Sequence, residues 1–488
     1  MRRDWENIEV GHETDDQRLR DFGYRPQFQR VLSLFGDFSL GYSYMSPIAG
    51  FYALFAFALA TGGPSFFWTM PIVLLGMLFV TLVFAEASSQ YPIAGGVYQW
   101  ARRIGGPRWG FMTGWMYLLA LLGTNAGLCA GVSAFIAALL GIEATPVFNA
   151  VAAMALLVVA MIVNLSGTKI LAKATELGVW TGLIGFVVFG LYMLLFARVQ
   201  PFSALNQAFE SGLGANFTSL AAASLIGIWI FFGFEACGDL AEEVTDASRK
   251  VPKAMLLTTI AGGISTLVIA LGMILAVHDF AAVANGTDTN PAATTLADHL
   301  GPVGEKIMLL IVISVVFSAA VSIMASTSRL LFSLGRDGLI FGSEAMARIE
   351  GSRALPVPAV ITATVIPCII LALGLYSADA VTSIISFATA GIYLSFGMVV
   401  VACLWARGQG WVPSGAFTMG GIGTIVNVLA LLWLVVALVN IMWPRPASPD
   451  QALWQVYLIP ISLVIILILG LLQLGKVDQM IARQQPAE

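Results

Sequence analysis

Ser46-Pro47-Ile48-Ala49-Gly50 and Phe232-Gly233-Phe234-Glu235-Ala236-Cys237-Gly238-Asp239 each interrupt an apolar segment near its centre. Lipid offers no hydrogen-bond partners, so backbone that leaves helical geometry at mid-bilayer depth survives only where it lines a cavity inside the protein. Free N–H and C=O groups in such a place can hold a ligand. Two breaks at corresponding places in two halves of a chain therefore point to a transport site.

Composition sets the class. Of 488 residues, 58% are hydrophobic and only 11% charged, with a mean hydropathy of +0.86. That is too little polar surface to cover a soluble globule, so the chain reads as a polytopic membrane protein whose surroundings are a lipid bilayer. A net charge of −4 with no long single-sign run offers no face for nucleic acid. Cys129, Cys237, Cys368 and Cys403 all lie in apolar segments without paired spacing, so neither a disulfide framework nor a zinc site is implied. With no HExxH, GxSxG or P-loop pattern, the sequence gives no reason to expect an enzyme, a metal or a cofactor.

A spanning helix needs about 20 mostly apolar residues. Twelve such segments are expected, at 33–60, 67–89, 110–140, 146–165, 176–197, 217–241, 254–277, 303–334, 357–376, 381–405, 417–443 and 452–474. With this count, 21 of the 24 Lys and Arg residues fall on the side that holds both termini, which makes that side cytosolic. The breaks then fall in segments 1 and 6. This spacing fits two inverted five-helix repeats (33–200 and 201–405), followed by two accessory helices (406–474), between cytosolic tails at 1–32 and 475–488. The expected fold class is an all-α membrane protein with a LeuT-like core.

In segment 1, Pro47 removes a backbone donor and disfavours helical geometry at Ser46, while Gly50 tolerates almost any dihedral, so 46–50 can open. A second half-helix starting near Phe51 would aim its positive dipole end at the midplane, where a carboxylate fits. A simple proline kink is the competing reading. In segment 6, Glu235 sits near mid-membrane, so it must face a cavity, find a partner or carry a proton. It could contact a substrate ammonium, bind and release a proton, or staple two helices. Asp239, Glu242 and Glu243 are expected to serve as gate or interface charges. Trp229, six residues before Glu235, either caps a substrate or packs. Cys237 is expected to be reachable from water if the break lines a cavity. Ser314, Ser318, Ser322 and Ser326, four apart, share one helix face, which either packs closely on a neighbour or offers hydroxyls to a cation.

Four stretches carry a resemblance: 85–115 (AEASSQYPIAGGVYQWARRIGGPRWGFMTGW), 233–255 (GFEACGDLAEEVTDASRKVPKAM), 326–340 (STSRLLFSLGRDGLI) and 383–398 (SIISFATAGIYLSFGM). They resemble the amino acid, polyamine and organocation (APC) transporter superfamily, and most closely its amino acid and choline transporter branch. The resemblance implies that Ser46, Pro47, Ile48, Ala49 and Gly50 hold a substrate carboxylate, and that Phe232, Gly233, Phe234, Glu235 and Ala236 hold its ammonium. It also implies that Trp229 closes the outer side. Many superfamily members carry a lysine in span 5 in place of a sodium ion, but 177–197 has none here. Ion coupling then falls to a proton on Glu235 or to sodium at Ser318 and Ser322. The expected activity is secondary transport of an amino acid or a related amine such as 4-aminobutyrate across the plasma membrane. A choline or polyamine carrier and a membrane nutrient sensor are the alternatives, and the oligomeric state is left open.

Overall fold

Proline, glycine and polar residues punctuate the apolar stretches, and helices fill the intervals. The computed structural model of the chain describes residues 15–206, 217–375, 378–445 and 451–484; the ends of the expected tails, 1–14 and 485–488, lie outside the described residues. Segment 1 is two helices, α1 (Leu34–Met45) and α2 (Pro47–Gly62). Next come α3 (Thr69–Gln90), the short α4 (Gly96–Gly105), α5 (Pro107–Leu140), α6 (Pro146–Leu165) and α7 (Thr168–Gly185). Segment 6 is divided into α8 (Phe217–Ala223), α9 (Leu225–Ile230) and α10 (Ala236–Asp239). The chain continues through α11 (Ala247–Ala276), α12 (Pro291–Arg336), α13 (Val357–Leu373), α14 (Ala378–Gly408), α15 (Gly423–Met442) and α16 (Leu458–Gln484). Among the described residues the only extended pairings are two isolated bridges, Leu32 with Val244 and Glu350 with Leu355.

Ten helical stretches among the described residues are long and apolar enough to cross a bilayer. Segments 6 and 9 hold shorter apolar helices, Phe217–Ile230 and Val357–Leu373, the first cut short by its own break. Several boundaries move, among them the start of α11 at Ala247 instead of 254 and the end of α16 at Gln484 instead of 474; two others have a clear local cause. Helix α7 begins at Thr168, not 176, because Thr168, Leu171, Thr175 and Gly178 form one buried stripe, hidden in the sequence by the exposed Lys169 and Lys173. Helix α12 begins at Pro291, capped by the Asn290 side chain, and an interruption at Gly301 (φ 66°) sets off its first ten residues from the expected span.

The two broken segments are enclosed. Helix α1 packs on α7, α11 and α12, while α2 packs on α8, α9 and α12. Helix α5 runs against both α12 and α14, bringing its polar residues to the same interior. Exposed Val, Leu and Ile along α6, α13, α15 and α16 form the apolar outside that a lipid environment requires.

Candidate functional site

Pro47 stops α1 and starts α2. Ser46, forced out of helical geometry by the proline that follows, takes a left-handed conformation (φ 46°, ψ 63°), and Pro47 stands at the first position of the next helix, where its fixed φ is pre-set. The break is therefore one residue wide. Helix α2 begins at Pro47 and not near Phe51, so Ile48, Ala49 and Gly50 form its first turn. The Gly50 amide donates to the Ser46 carbonyl at 3.1 Å, leaving the amides of Ile48 and Ala49 as the ones without an intrahelical acceptor. The Ser46 hydroxyl makes no cap and is buried without a partner.

Segment 6 opens at Gly233 (φ 115°). A Cβ there would stand 2.7 Å from the Met45 nitrogen and 3.0 Å from Met45 Cα, so the two breaks touch backbone to backbone and only glycine fits. Glu235 is fully buried. Its Oε2 accepts from the Gly233 amide at 2.7 Å, and the Tyr117 hydroxyl lies 3.5 Å from Oε1. Tyr117, on α5, donates at 3.0 Å to Asp239, whose other carboxylate oxygen is buried and unpartnered. Two acids thus meet around one phenol, and no ion pair among the described residues includes either.

Where the breaks meet lies a cavity of about 20 Å³, bounded by Ser46, Gly50, Tyr44, Thr124, Trp229 and Phe232 among others. It has room for about one water molecule. Phe232 is the hub of its aromatic wall, with the rings of Trp229, Tyr44 and Tyr393 standing nearly perpendicular to it at 5.7, 6.0 and 6.4 Å. Tyr393 donates to the Ile228 carbonyl at 2.9 Å, tying α14 to α9, whereas the Tyr44 hydroxyl is buried and unpartnered.

Of the expected site residues, Ser46, Gly50, Phe232 and the half-buried Trp229 line this cavity; Pro47, Ile48, Ala49, Gly233, Glu235 and Ala236 do not. Phe234 turns away to pack 5.8 Å from both Phe84 and Phe396, which makes it a packing residue between α3 and α14. Cys237, expected to be reachable from water, is sealed: it is fully buried and its thiol donates to the Asp37 carbonyl at 3.3 Å. Tyr44, Thr124, Tyr117 and Tyr393 escaped the sequence reading. Their one signal was a hydroxyl inside an apolar segment.

The serines of α12 knit that helix to α1 and α7. Ser322 donates to the Leu40 carbonyl at 2.7 Å, Ser318 to Ser43 at 2.9 Å, and Ser43 to the Thr175 carbonyl at 3.0 Å. Ser314 reaches Thr181 more loosely at 3.5 Å. A side chain at Gly178 would collide with Ser318, so these hydroxyls fill the space that a longer residue on α7 would need.

The side that holds the termini is closed by buried charge. Arg329 is fully buried and donates to Glu243 through Nε (2.7 Å) and Nη2 (3.1 Å), and Thr168 also donates to Glu243. Arg336 pairs with Glu242 at 2.9 Å. Residues 15–33 lie across this cluster. The amides of Val31 and Leu32 both donate to the Glu243 carbonyl at 2.9 Å. Tyr24 donates to Asp337 at 2.8 Å and accepts from Arg102 at 2.7 Å, and Arg102 also pairs with Asp337. Burial, reinforced by the Asp337 carboxylate, pushes the Tyr24 hydroxyl above its usual range, so it stays a donor.

The fold and site together define a polytopic helical membrane protein with a closed central site. A model of the amino acid permease family matches residues 32–471, and the chain belongs to that family. It is 25% identical to the amino-acid permease BAT1 of Arabidopsis thaliana over 88% of each chain. It is also 25% identical to the BAT1 homolog of Oryza sativa subsp. japonica, over 90% of this chain and 89% of that one. The thiamine transporter thi9 of Schizosaccharomyces pombe is 24% identical over 88% of this chain and 80% of its own. These relatives are transporters, not enzymes.

Replacing Gly233 by Ala forces a methyl against Met45 and strains a left-handed position, so it should destabilise the protein by about 1–3 kcal/mol, read as a lower melting temperature in detergent. Ser46→Gly relaxes a left-handed serine and should leave the melting temperature unchanged or raise it; a fall would mean that the Ser46 hydroxyl, not its backbone, holds the break. Arg329→Met strands Glu243 in a dry interior at a cost of about 3–5 kcal/mol to the closed state. Trypsin should then cut after Arg30 at least tenfold faster than in the parent, and an unchanged rate would show that the pair does not hold this side shut.

Proposed function

We propose that the chain is a secondary transporter that moves an amino acid, or a related amine such as 4-aminobutyrate, by alternating access. In this reading twelve spans carry an inverted five-helix repeat, both tails are cytosolic and the membrane is the plasma membrane. The observation that carries the proposal is the meeting of two helix breaks at one cavity. The Ser46 hydroxyl and the start of α2 stand on one side of the junction, and Glu235 is anchored to Gly233 on the other. The unassigned amides of Ile48 and Ala49 suit a carboxylate. Glu235 and Asp239, two acids without a cation, suit an ammonium. The aromatic wall around Phe232 suits a substrate's apolar part, with Trp229 closing the outer side.

The likeness to a thiamine transporter supports keeping cationic substrates such as choline and polyamines as the second reading, because the same two acids would serve them. A sensor function has no comparable observation in its favour. For coupling, the candidates are a proton on Glu235 and a sodium ion at Ser318 and Ser322, whose hydroxyls converge on α1.

Counterflow in proteoliposomes tests the reading. Labelled 4-aminobutyrate outside should accumulate when the vesicles are loaded with one class among amino acids, 4-aminobutyrate, choline and putrescine. Glu235→Gln should cut that accumulation at least tenfold while the folded yield holds. Accumulation by the variant equal to the parent's across pH 5–8 would remove Glu235 from the mechanism; no accumulation with any internal solute would overturn the substrate assignment.

A further inference from the structure

Asp37 stands in the first turn of α1 with no exposed surface and with no partner for either carboxylate oxygen. No ion pair among the described residues includes it. From segment 6 the Cys237 thiol donates to its backbone carbonyl at 3.3 Å, and from α11 Thr258 donates to the neighbouring Phe38 carbonyl at 3.4 Å. On α10, which packs against α1, Asp239 accepts from Tyr117. Just before it Glu235 accepts from the Gly233 amide, so these two acids offer Asp37 no cation. The basic groups on the surrounding helices are committed elsewhere or turned to solvent. On α11, Arg249 and Lys253 are exposed and Lys250 donates to Thr245 at 2.6 Å. On α7, Lys169 and Lys173 are exposed and Glu176 is half-buried. On α12, Arg329 is taken by Glu243.

An ionised carboxylate in a dry site without a donor is strongly disfavoured. The same group hydrated at a helix N-terminus is favoured as an anion. Closure of the tail side moves Asp37 between these two environments, because α1 is the short inner half of a broken segment and its first turn lies beside the strap formed by residues 15–33. We propose that Asp37 is a proton-binding site, holding one proton while the tail side is closed and releasing it when the start of α1 opens to water there. On opening, the carboxyl O–H bond breaks, the proton passes to water and buffer on the tail side, and the electron pair stays on the carboxylate. Closure reverses the step. Acidity on that side therefore favours the closed form, and each opening exchanges one proton with it. This rests on the transporter reading only in that segment 1 moves.

Cys237 reports the opening, since its thiol sits on the Asp37 backbone. In the full chain with Cys129, Cys368 and Cys403 replaced by Ala, the rate of labelling by a water-soluble maleimide is followed from pH 6 to pH 8, with Asp37→Asn added as the reference. The reference keeps the thiol's own pH dependence but has no acid at this position. The labelling rate with Asp37 intact, divided by the rate of the Asp37→Asn reference, should rise at least fivefold with pH; a constant ratio, or a rise that follows sodium concentration instead, overturns the proposal. Maleimide addition leaves the thiol proton on the ring carbon, so a pH indicator in weak buffer counts only protons that the protein releases. About one per label is expected at pH 8 from the protein that retains Asp37, and none overturns the proposal even if the Asp37→Asn reference does not fold. Neither readout needs a transported substrate, so failure here leaves the substrate assignment standing and failed counterflow leaves this test intact.

Discussion

The contact between Gly233 and Met45 is the constraint on which the rest of the site depends. Two chains that have left helical geometry meet there with no side chain between them, in an interior where every exposed amide or carbonyl needs a partner. Glu235 supplies one, accepting the Gly233 amide at 2.7 Å. An acid that sequence reasoning assigns to a ligand is thus serving the backbone in the closed form. In the proposed transport reading, a substrate ammonium drawn to Oε2 of Glu235 would compete with that amide and loosen the break in segment 6. Oε2 would then serve both ligand recognition and the backbone, which would give a ligand a differential hold on two conformations, the requirement for any ligand-driven change.

The tail side obeys a different logic. A buried pair such as Arg329 with Glu243 adds little net stability over an apolar pair, yet either partner left alone in a dry interior is costly. When water enters, both ions are rehydrated and that cost disappears. Under the proposed alternating access, such pairs would make closure all-or-none, because half-dry states are disfavoured. Three of the stretches that carry the family resemblance meet in this cluster. Ala94, in the turn before α4, donates to Glu242 at 3.1 Å; Gln99 donates to Ser333 at 2.8 Å; and Arg329 and Arg336 reach from α12 to the end of segment 6. Residues of all three stretches thus share one buried charge cluster.

Much of this architecture is legible in the sequence because lipid enforces apolar runs and proline and glycine mark the interruptions. Pro47 located the first break, although the structure narrows it to Ser46, since proline at the first position of a helix starts that helix at once. Glu235 stood out by its charge. What stayed hidden was direction. Phe234 and Phe232 are two residues apart across a break, so no helical periodicity predicts that one packs on α3 and α14 while the other centres the cavity wall. Tyr117 and Tyr393 come from helices far away in sequence, and only the fold brings them to segment 6. Asp37 sits at the polar edge of its segment, and only the fold shows that it is buried away from water.

Helix α1 is a short unit bounded at both ends by non-helical backbone. It spans 12 residues between the non-helical stretch 24–33 and a left-handed serine, so both ends are places where a few dihedrals can absorb a rotation. Its contacts run over small residues: Gly41 lies against Thr258 and Cys237, Gly178 of α7 against Ser43, and Gly262 of α11 against Met45. The large side chains Leu40, Tyr42, Tyr44 and Met45 are buried beside these close approaches. The polar bonds that hold the helix, Ser322 to the Leu40 carbonyl and Ser43 to the Thr175 carbonyl, are single hydroxyl contacts that water can replace. By contrast α5 and α12 are long and packed on each other, and α12 forms one wall beside α1. A cavity with room for about one water must enlarge before any organic solute fits, and in the proposed transport reading the dihedrals at the two ends of α1 are where that rearrangement would be absorbed.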